Sequence, residues 1–490
     1  MAQACKGAEK MKANNDAQIA SIEKESVFGI VPILTREKQY RFSDAFFFLA
    51  SYGIATWNYT QGAYIATLCS FKQLMIATMV GSLLVMLIFE LPAILSTRYG
   101  IDIWIWMKAV LGHTGVKIVT IMVVLLNFPW HAVCAELFAS SMENLVGLAG
   151  ISLPPVCHPL LGILCVFLGG LVAWKGLDAI GKTTRLLTPL LIAVGCIVLI
   201  VGLTSAPIDA IVNYVPASVR DGEVRAQIGY ILAADGMMAY SLCWFGGMAG
   251  IPRLTYTERS GYWGGVLGQG VVGSFFVIIG AVMAIAMEYV TGVMESDPTT
   301  MLATLTFPAM ALLSLVLVGF ANVGTQATGS YLYAIMLKAS FHKASYRLLV
   351  ALLGVYVSVL CVWGKIIDYL GTFLTIGACT FAPLAALLLT DFFVIRKQKF
   401  SLRAGFEIGG NDTYRYFHGI NPIGFFCIAV GVLVSLSIYN PLTGEIKIPF
   451  LFQFTPTICC FVATGLLYWL LNCIPAIRKY NLRDRAEVTV

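Results

Sequence analysis

With 490 residues, 58% of them hydrophobic and only 12% charged, and a mean hydropathy of +0.82, the chain is too apolar to be a soluble globular domain. Its net charge of +6 does not point to nucleic acid, because the 32 Lys and Arg residues are spaced between apolar runs instead of forming a phosphate-binding patch. The expected class is an all-α polytopic membrane protein.

Residues 1–39 are largely polar, with Lys6, Lys10, Lys12, Lys24, Arg36 and Lys38, and read as a cytoplasmic tail without a cleavable signal peptide. The first apolar stretch, Phe42 to Leu68, is long enough to cross a bilayer, which takes about 20 mostly apolar residues. Its middle, Ser51 to Gln61, is nevertheless crowded with Gly53, Thr56, Asn58, Thr60 and Gln61. Two readings fit: a helix that unwinds halfway and turns its polar groups inward, or a continuous helix whose polar face packs on neighbours.

Further spans are predicted at 74–97, 116–147, 158–174, 184–205, 226–250, 262–289, 306–337, 346–364, 366–395, 417–439 and 450–473. Residues 102–113 are too short and mixed to span and read as an interfacial connecting helix, and Glu295 and Asp297 mark an acidic loop. The count is 12 transmembrane helices. The expected organisation is a tail (1–39), a ten-helix transport core (40–395), a cytoplasmic connector with the last two helices (396–473) and a C-terminal tail (474–490). On this count 27 Lys and Arg fall on the side holding the N terminus and five on the other. That asymmetry places both termini in the cytoplasm of a multi-pass protein of the cell (inner or plasma) membrane.

The sixth segment repeats the anomaly of the first. Cys243, Trp244, Phe245, Gly246, Gly247, Met248, Ala249 and Gly250 bring small residues where a bilayer helix should be regular, about 190 residues after the first interruption. Paired interruptions in positions one and six are what a five-plus-five inverted repeat produces, each half giving its first helix to a central site. The 13 cysteines show no CxxC spacing, the five histidines no ligand spacing, and no phosphate loop accompanies a strand, so neither an enzyme nor an ATP-driven pump is indicated.

The run FAPLAALLLTDFFVIRKQKFSL, Phe381 to Leu402, followed by Tyr414, Tyr416, Gly419 and Asn421, resembles nucleobase cation symporter family 1, the hydantoin, allantoin and cytosine permeases. Ala382, Phe392 and Pro422 depart from that family's glycine, tyrosine and tryptophan. Phe42, Ser43, Gly62, Gly81, Arg98, Gly100, Ile101, Gly112, Gly115 and Trp130 carry the resemblance through the first three segments, while the sixth aligns poorly. The resemblance implies that segments 1, 2, 6 and 7 form a bundle and 3, 4, 8 and 9 a scaffold. It implies a sodium site at the carbonyls of Ala50, Gly53 and Ala321 and at the hydroxyl positions Gly324 and Thr325, where Gly324 lacks the oxygen.

If the coupling ion is a proton instead, a buried carboxylate is required, with Glu136 the first candidate and Asp235 the second. The implied substrate site stacks a flat ring on Trp130, with Trp244 as the matching tryptophan of the sixth segment. The family's amide positions are Ile54, Cys134 and Ser330 here, so the hydrogen-bonding edge differs. Asn58, Asn127, His131, Asn322 and Gln326 are nearby polar residues that could replace it.

The expectation is therefore a cation-coupled (Na+ or H+) symporter for a nucleobase or related small heterocycle, without a cofactor, a nucleic-acid partner or a subunit partner. The alternatives are an amine or amino-acid carrier of the same architecture and a channel or receptor on this fold.

Overall fold

The computed structural model describes residues 31–245, 250–407, 410 and 412–484. Among them, regular structure is helical, with three isolated β-bridges. Among the described residues, eight helices are long and apolar enough to cross a membrane: Phe71–Tyr99, His113–Gly147, Cys157–Trp174, Glu258–Thr291, Pro308–Ser340, Tyr346–Trp363, Leu370–Ile395 and Pro456–Cys473. Shorter apolar stretches of helix also occur within Phe42–Gly53 and Leu177–Ser205 and at Pro422–Ile438.

We number the elements α1 (Phe42–Gly53), α2 (Trp57–Ala66), α3 (Phe71–Tyr99), α4 (His113–Asn127), α5 (Trp130–Gly147), α6 (Cys157–Trp174), α7 (Leu177–Ser205), α8 (Ala226–Leu242), α9 (Glu258–Thr291), α10 (Pro298–Leu305), α11 (Pro308–Ser340), α12 (Tyr346–Trp363), α13 (Leu370–Ile395), α14 (Pro422–Ile438), α15 (Pro456–Cys473) and α16 (Pro475–Asn481).

Apolar stripes on the outside identify the solvent. On α12, Leu348, Leu352, Val355, Val359 and Val362 recur at helical spacing, and each is more than half exposed. In water such a stripe would aggregate; against lipid it is the matched surface.

Polar content sorts the interior. α1 and α2 pack on α9, and α8 packs on the middle of α3, while α5, α6, α11 and α12 pack on one another. These are the two groups that the resemblance implied.

Several elements differ from the sequence reading. The predicted third span lies within His113–Gly147 and is broken by a turn at Phe128 and Pro129, because Pro129 has no N–H to give and its ring crowds the preceding turn; His131 N–H reaches back to Phe128 O at 2.9 Å. The predicted 226–250 span stops at Leu242, and Gly246, Gly247, Met248 and Ala249 lie outside the described residues. The acidic loop with Glu295 and Asp297 is present, and an additional helix, α10, follows it, its first turn capped by the Asp297 carboxylate accepting from Thr299 N at 2.8 Å.

Residues 101–111 do not lie on the interface: they form two short helices, Ile103–Trp106 and Lys108–Leu111, and are buried throughout. The connector covers them. Tyr416 OH donates to Ala109 O at 2.6 Å, Asn421 N donates to Leu111 O at 2.8 Å, and the Trp106 ring meets Phe392 at 4.7 Å.

Beside this cap, Arg396 is enclosed by the Asp391 and Asp484 carboxylates and the Asn481 carbonyl. Tyr468 OH donates to the other oxygen of Asp391 at 2.8 Å and Tyr414 OH to the other oxygen of Asp484 at 2.7 Å. The end of α13, the connector and the chain just after α16 are thereby tied together by a buried charge set with matched partners.

Candidate transport site

The first apolar stretch unwinds where its small and polar residues concentrate. α1 ends at Gly53, α2 begins at Trp57, and Ile54, Ala55 and Thr56 lie between them. The backbone ladder restarts with short i to i+3 bonds, Asn58 N to Ala55 O and Tyr59 N to Thr56 O, both 3.0 Å. Two glycines allow this stretch to lie on α9. A Cβ at Gly53 would stand 2.7 Å from the Gly268 carbonyl oxygen, and one at Gly62 would stand 1.9 Å from that of Val277. Any side chain there would force the helices apart.

Side chains from three other elements hold the interruption. The Thr56 hydroxyl donates to Asn322 Oδ1 on α11 and lies in hydrogen-bond contact with the Cys134 thiol on α5. Tyr240 OH on α8 donates to Asn58 Oδ1, while Asn58 Nδ2 donates to Ala55 O at 3.2 Å. Where α8 stops, Asn127 Nδ2 donates to the Cys243 carbonyl and to Tyr333 OH. The interruption after Gly53 and the end of α8 are thus both braced by amide side chains.

Between them sits a closed aromatic cluster. Trp57 lies 6.0 Å from Trp130 at 68°, 5.1 Å from Trp244 at 38° and 5.7 Å from His131 between ring centroids. Trp130 also meets Tyr240 at 5.5 Å and Phe373 at 5.4 Å. Trp57, Trp130 and Trp244 are 0%, 1% and 9% exposed, so the cluster is shut off from both faces. Around it His131 Nε2, Gln61 Oε1, Asn127 Oδ1 and Asn322 Nδ2 are buried and make no hydrogen bond to protein. Buried polar atoms left so cost free energy, and their convergence on one region suits a ligand with its own donors and acceptors. Flat faces for stacking and spare amide atoms for an edge are therefore present together.

The sequence-derived positions distribute unevenly. Trp130, Trp244, Asn58 and Cys134 come together, and Ser330 is buried on α11. Ile54 instead packs in an apolar cluster with Tyr59, Ala63 and Ala321. Of the ion positions, the Ala50 carbonyl accepts from Ile54 N at 3.0 Å, and Thr325 is buried on α11, one turn from Ala321. Gly324, next to Thr325 on α11, lines a lateral apolar groove of about 580 Å³ with Phe138, Leu168 and Phe320, and its carbonyl accepts from Thr328 Oγ1 at 2.9 Å.

Glu136 is buried on α5 with one carboxyl oxygen unbonded. Asp235 accepts from Thr457 N at 3.0 Å and so caps the first turn of α15. Trp57, Tyr240 and Tyr333 were not foreseen. Trp57 had one available signal, its place immediately after the interruption; the two tyrosines had none.

An interrupted helix whose polar groups meet a closed aromatic cluster inside a helical membrane bundle defines a carrier-type membrane protein. The family model for permeases of cytosine/purines, uracil, thiamine and allantoin matches residues 32–457, and the chain belongs to that family: it is a transporter, not an enzyme.

Mhp1, a nucleobase-cation-symport-1 family transporter in a closed conformation with bromovinylhydantoin bound, shares the fold with a TM-score of 0.75 at 17% identity, covering 92% of this chain and 98% of Mhp1. Its inward-facing conformation gives a TM-score of 0.72 at 16% identity, covering 93% and 96%. A Na+-coupled sialic acid symporter in a substrate-bound outward-open state gives 0.61 at 12% identity, covering 92% and 96%. Among curated protein sequences none matches.

Proposed function

We propose that this chain takes up a nucleobase or related small heterocycle together with a cation, as a secondary active transporter working by alternating access. In this reading it has twelve spans, of which ten form a five-plus-five inverted repeat, it acts as a monomer, and both termini are cytoplasmic. The observation that carries the reading is the cluster of Trp57, Trp130 and Trp244 set directly on the helix interruption, with unbonded amide and imidazole atoms beside it. The likeness to Mhp1, whose closed conformation holds bromovinylhydantoin, supports a flat heterocycle as substrate. Trp130 would stack the ring, and Asn58, Asn322 or His131 would read its edge.

Substrate and cation would bind in concert because both order the same unwound backbone, which is the source of the coupling free energy. For sodium, Ala50, Gly53, Ala321 and Thr325 would supply oxygens, and Gly324 would supply none through a side chain. That shortfall, with the Ala50 carbonyl engaged by Ile54, favours a proton.

The test is counterflow in liposomes with labelled cytosine, uracil, allantoin and thiamine, with and without sodium. Exchange of at least one against its unlabelled form supports a carrier; downhill leak without exchange would mean a channel. Exchange of amines or amino acids alone would assign the alternative carrier class.

A further inference from the structure

Glu90 is fully buried in α3, and among the described residues neither carboxyl oxygen has a hydrogen-bond partner. It belongs to no ion pair among the described residues. It sits where α3 is interrupted before Pro92, and it faces Gly265 of α9, where a Cβ would stand 2.1 Å from the carboxyl carbon. The glycine therefore makes the room that the carboxyl group occupies.

The charged and titratable groups on the elements around it are committed elsewhere or out in solvent. Tyr262 of α9 donates its OH to Leu87 O at 2.8 Å, and Glu258 pairs with Arg98 at 2.7 Å. Arg259 is exposed, and Arg253 donates to Gly250 O at 3.0 Å and lies beside Asp102. On α8, Asp235 caps α15 and Tyr240 bonds Asn58; on α1, Asp44 pairs with Arg185 at 2.7 Å. With no cation and no donor aimed at it, an ionised carboxylate here would be strongly disfavoured, and a proton is what neutralises it.

One helix joins this carboxyl to the helix interruption. Along α9, Gly265 covers Glu90, Gly268 lies against Ala50, and Gly273 lies against Gly53. That stretch is widened into a π-helix at Val266–Val272, and α3 is widened likewise at Met79–Leu84, a geometry frequent at functional sites. Any shift of α9 that exposes Glu90 to water also moves the surface on which the end of α1 rests.

Resting on the carrier reading above, we propose that Glu90 is the coupling-proton site. H+ adds to a carboxylate oxygen to give the neutral acid that α9 covers in the closed arrangement, and leaves as H+ when α3 and α9 part. No other bond changes, and the interruption at Gly53 is the element whose ordering the proton shares with substrate.

The test uses the full-length protein purified into liposomes, as wild type, Glu90→Gln and Glu90→Asp, with the same four labelled compounds. Two rates are read: counterflow without a gradient, and accumulation driven by an imposed pH gradient. Glu90→Gln, a mimic of the protonated acid, is expected to retain counterflow and lose accumulation, and Glu90→Asp to restore accumulation with a displaced pH profile.

Gradient-driven accumulation by Glu90→Gln equal to wild type overturns the proposal, as does loss of counterflow in a Glu90→Gln protein that elutes as folded. Wild-type exchange that ignores the pH gradient overturns it too, while leaving the carrier reading intact. If wild type exchanges none of the four compounds, the substrate reading fails instead, and infrared titration of the purified protein decides the proton site. A carboxylic-acid band absent from Glu90→Gln and lost at high pH in wild type supports it; spectra identical between the two proteins overturn it.

Discussion

The molecule buries polar groups in two places and treats them in opposite ways. Around Arg396, near the connector, each charge meets a counter-charge or a hydroxyl: Asp391, Asp484, Tyr414 and Tyr468 close the set. Around the helix interruption, Asn322, Asn127, Gln61 and His131 each keep an atom unbonded in a dry aromatic setting. A satisfied network holds one arrangement, whereas an unsatisfied one gains most when a ligand arrives. The first region reads as architecture and the second as the working site.

The largest expected effect breaks the first region. Arg396→Ala strands two buried carboxylates and should cost about 3–5 kcal/mol, read as a lowered unfolding temperature of purified protein. Stability equal to wild type would mean that the network is not closed as described.

Next, Trp130→Ala should abolish uptake by a protein that still elutes as folded, because it removes the stacking face at the centre of the cluster. Wild-type uptake rates would remove the stacking role. Asn322→Ala frees the Thr56 hydroxyl at the interruption and should raise the apparent KM about tenfold, the equivalent of one hydrogen bond of roughly 1.4 kcal/mol. An unchanged KM would make Asn322 a helix-to-helix brace only.

The extent to which the sequence discloses these regions follows from range. The spans are legible because apolar length alone sets them, and the interruption because Gly53, Thr56, Asn58 and Gln61 fall inside such a length. The aromatic faces were half legible: Trp130 and Trp244 came through family resemblance, but Trp57 looks like any core tryptophan until the geometry places it between them. The burial of residues 101–111 was not legible, because what covers them, from Phe392 to Asn421, lies about 300 residues away in the chain. Glu90 was hidden for a related reason: a single acid in a span shows its lack of partners only when α9 is in place.

The smallest effect sharpens the contrast at the cap over residues 101–111. His113, at 2.8 Å, and Lys108, at 3.2 Å, hold the Glu407 carboxyl down to about 2, against about 4.3 when unfolded. A depressed carboxyl contributes stability above its unfolded value and loses it as pH falls towards the folded one. Melting temperature should thus fall on acidification below about pH 4, and Glu407→Gln should flatten that limb. The change should be modest, because the side chain is nearly half exposed and solvent screens the pair. An acid limb identical in the variant would assign the loss to other carboxylates.

The most direct measurement is an experimental structure with a transported heterocycle bound. The account predicts the ring stacked among Trp57, Trp130 and Trp244, with its polar edge on side chains at the interruption between Gly53 and Trp57. A first helix continuous through Ile54, Ala55 and Thr56, or a ring seated in a lateral groove away from Trp130, would contradict it.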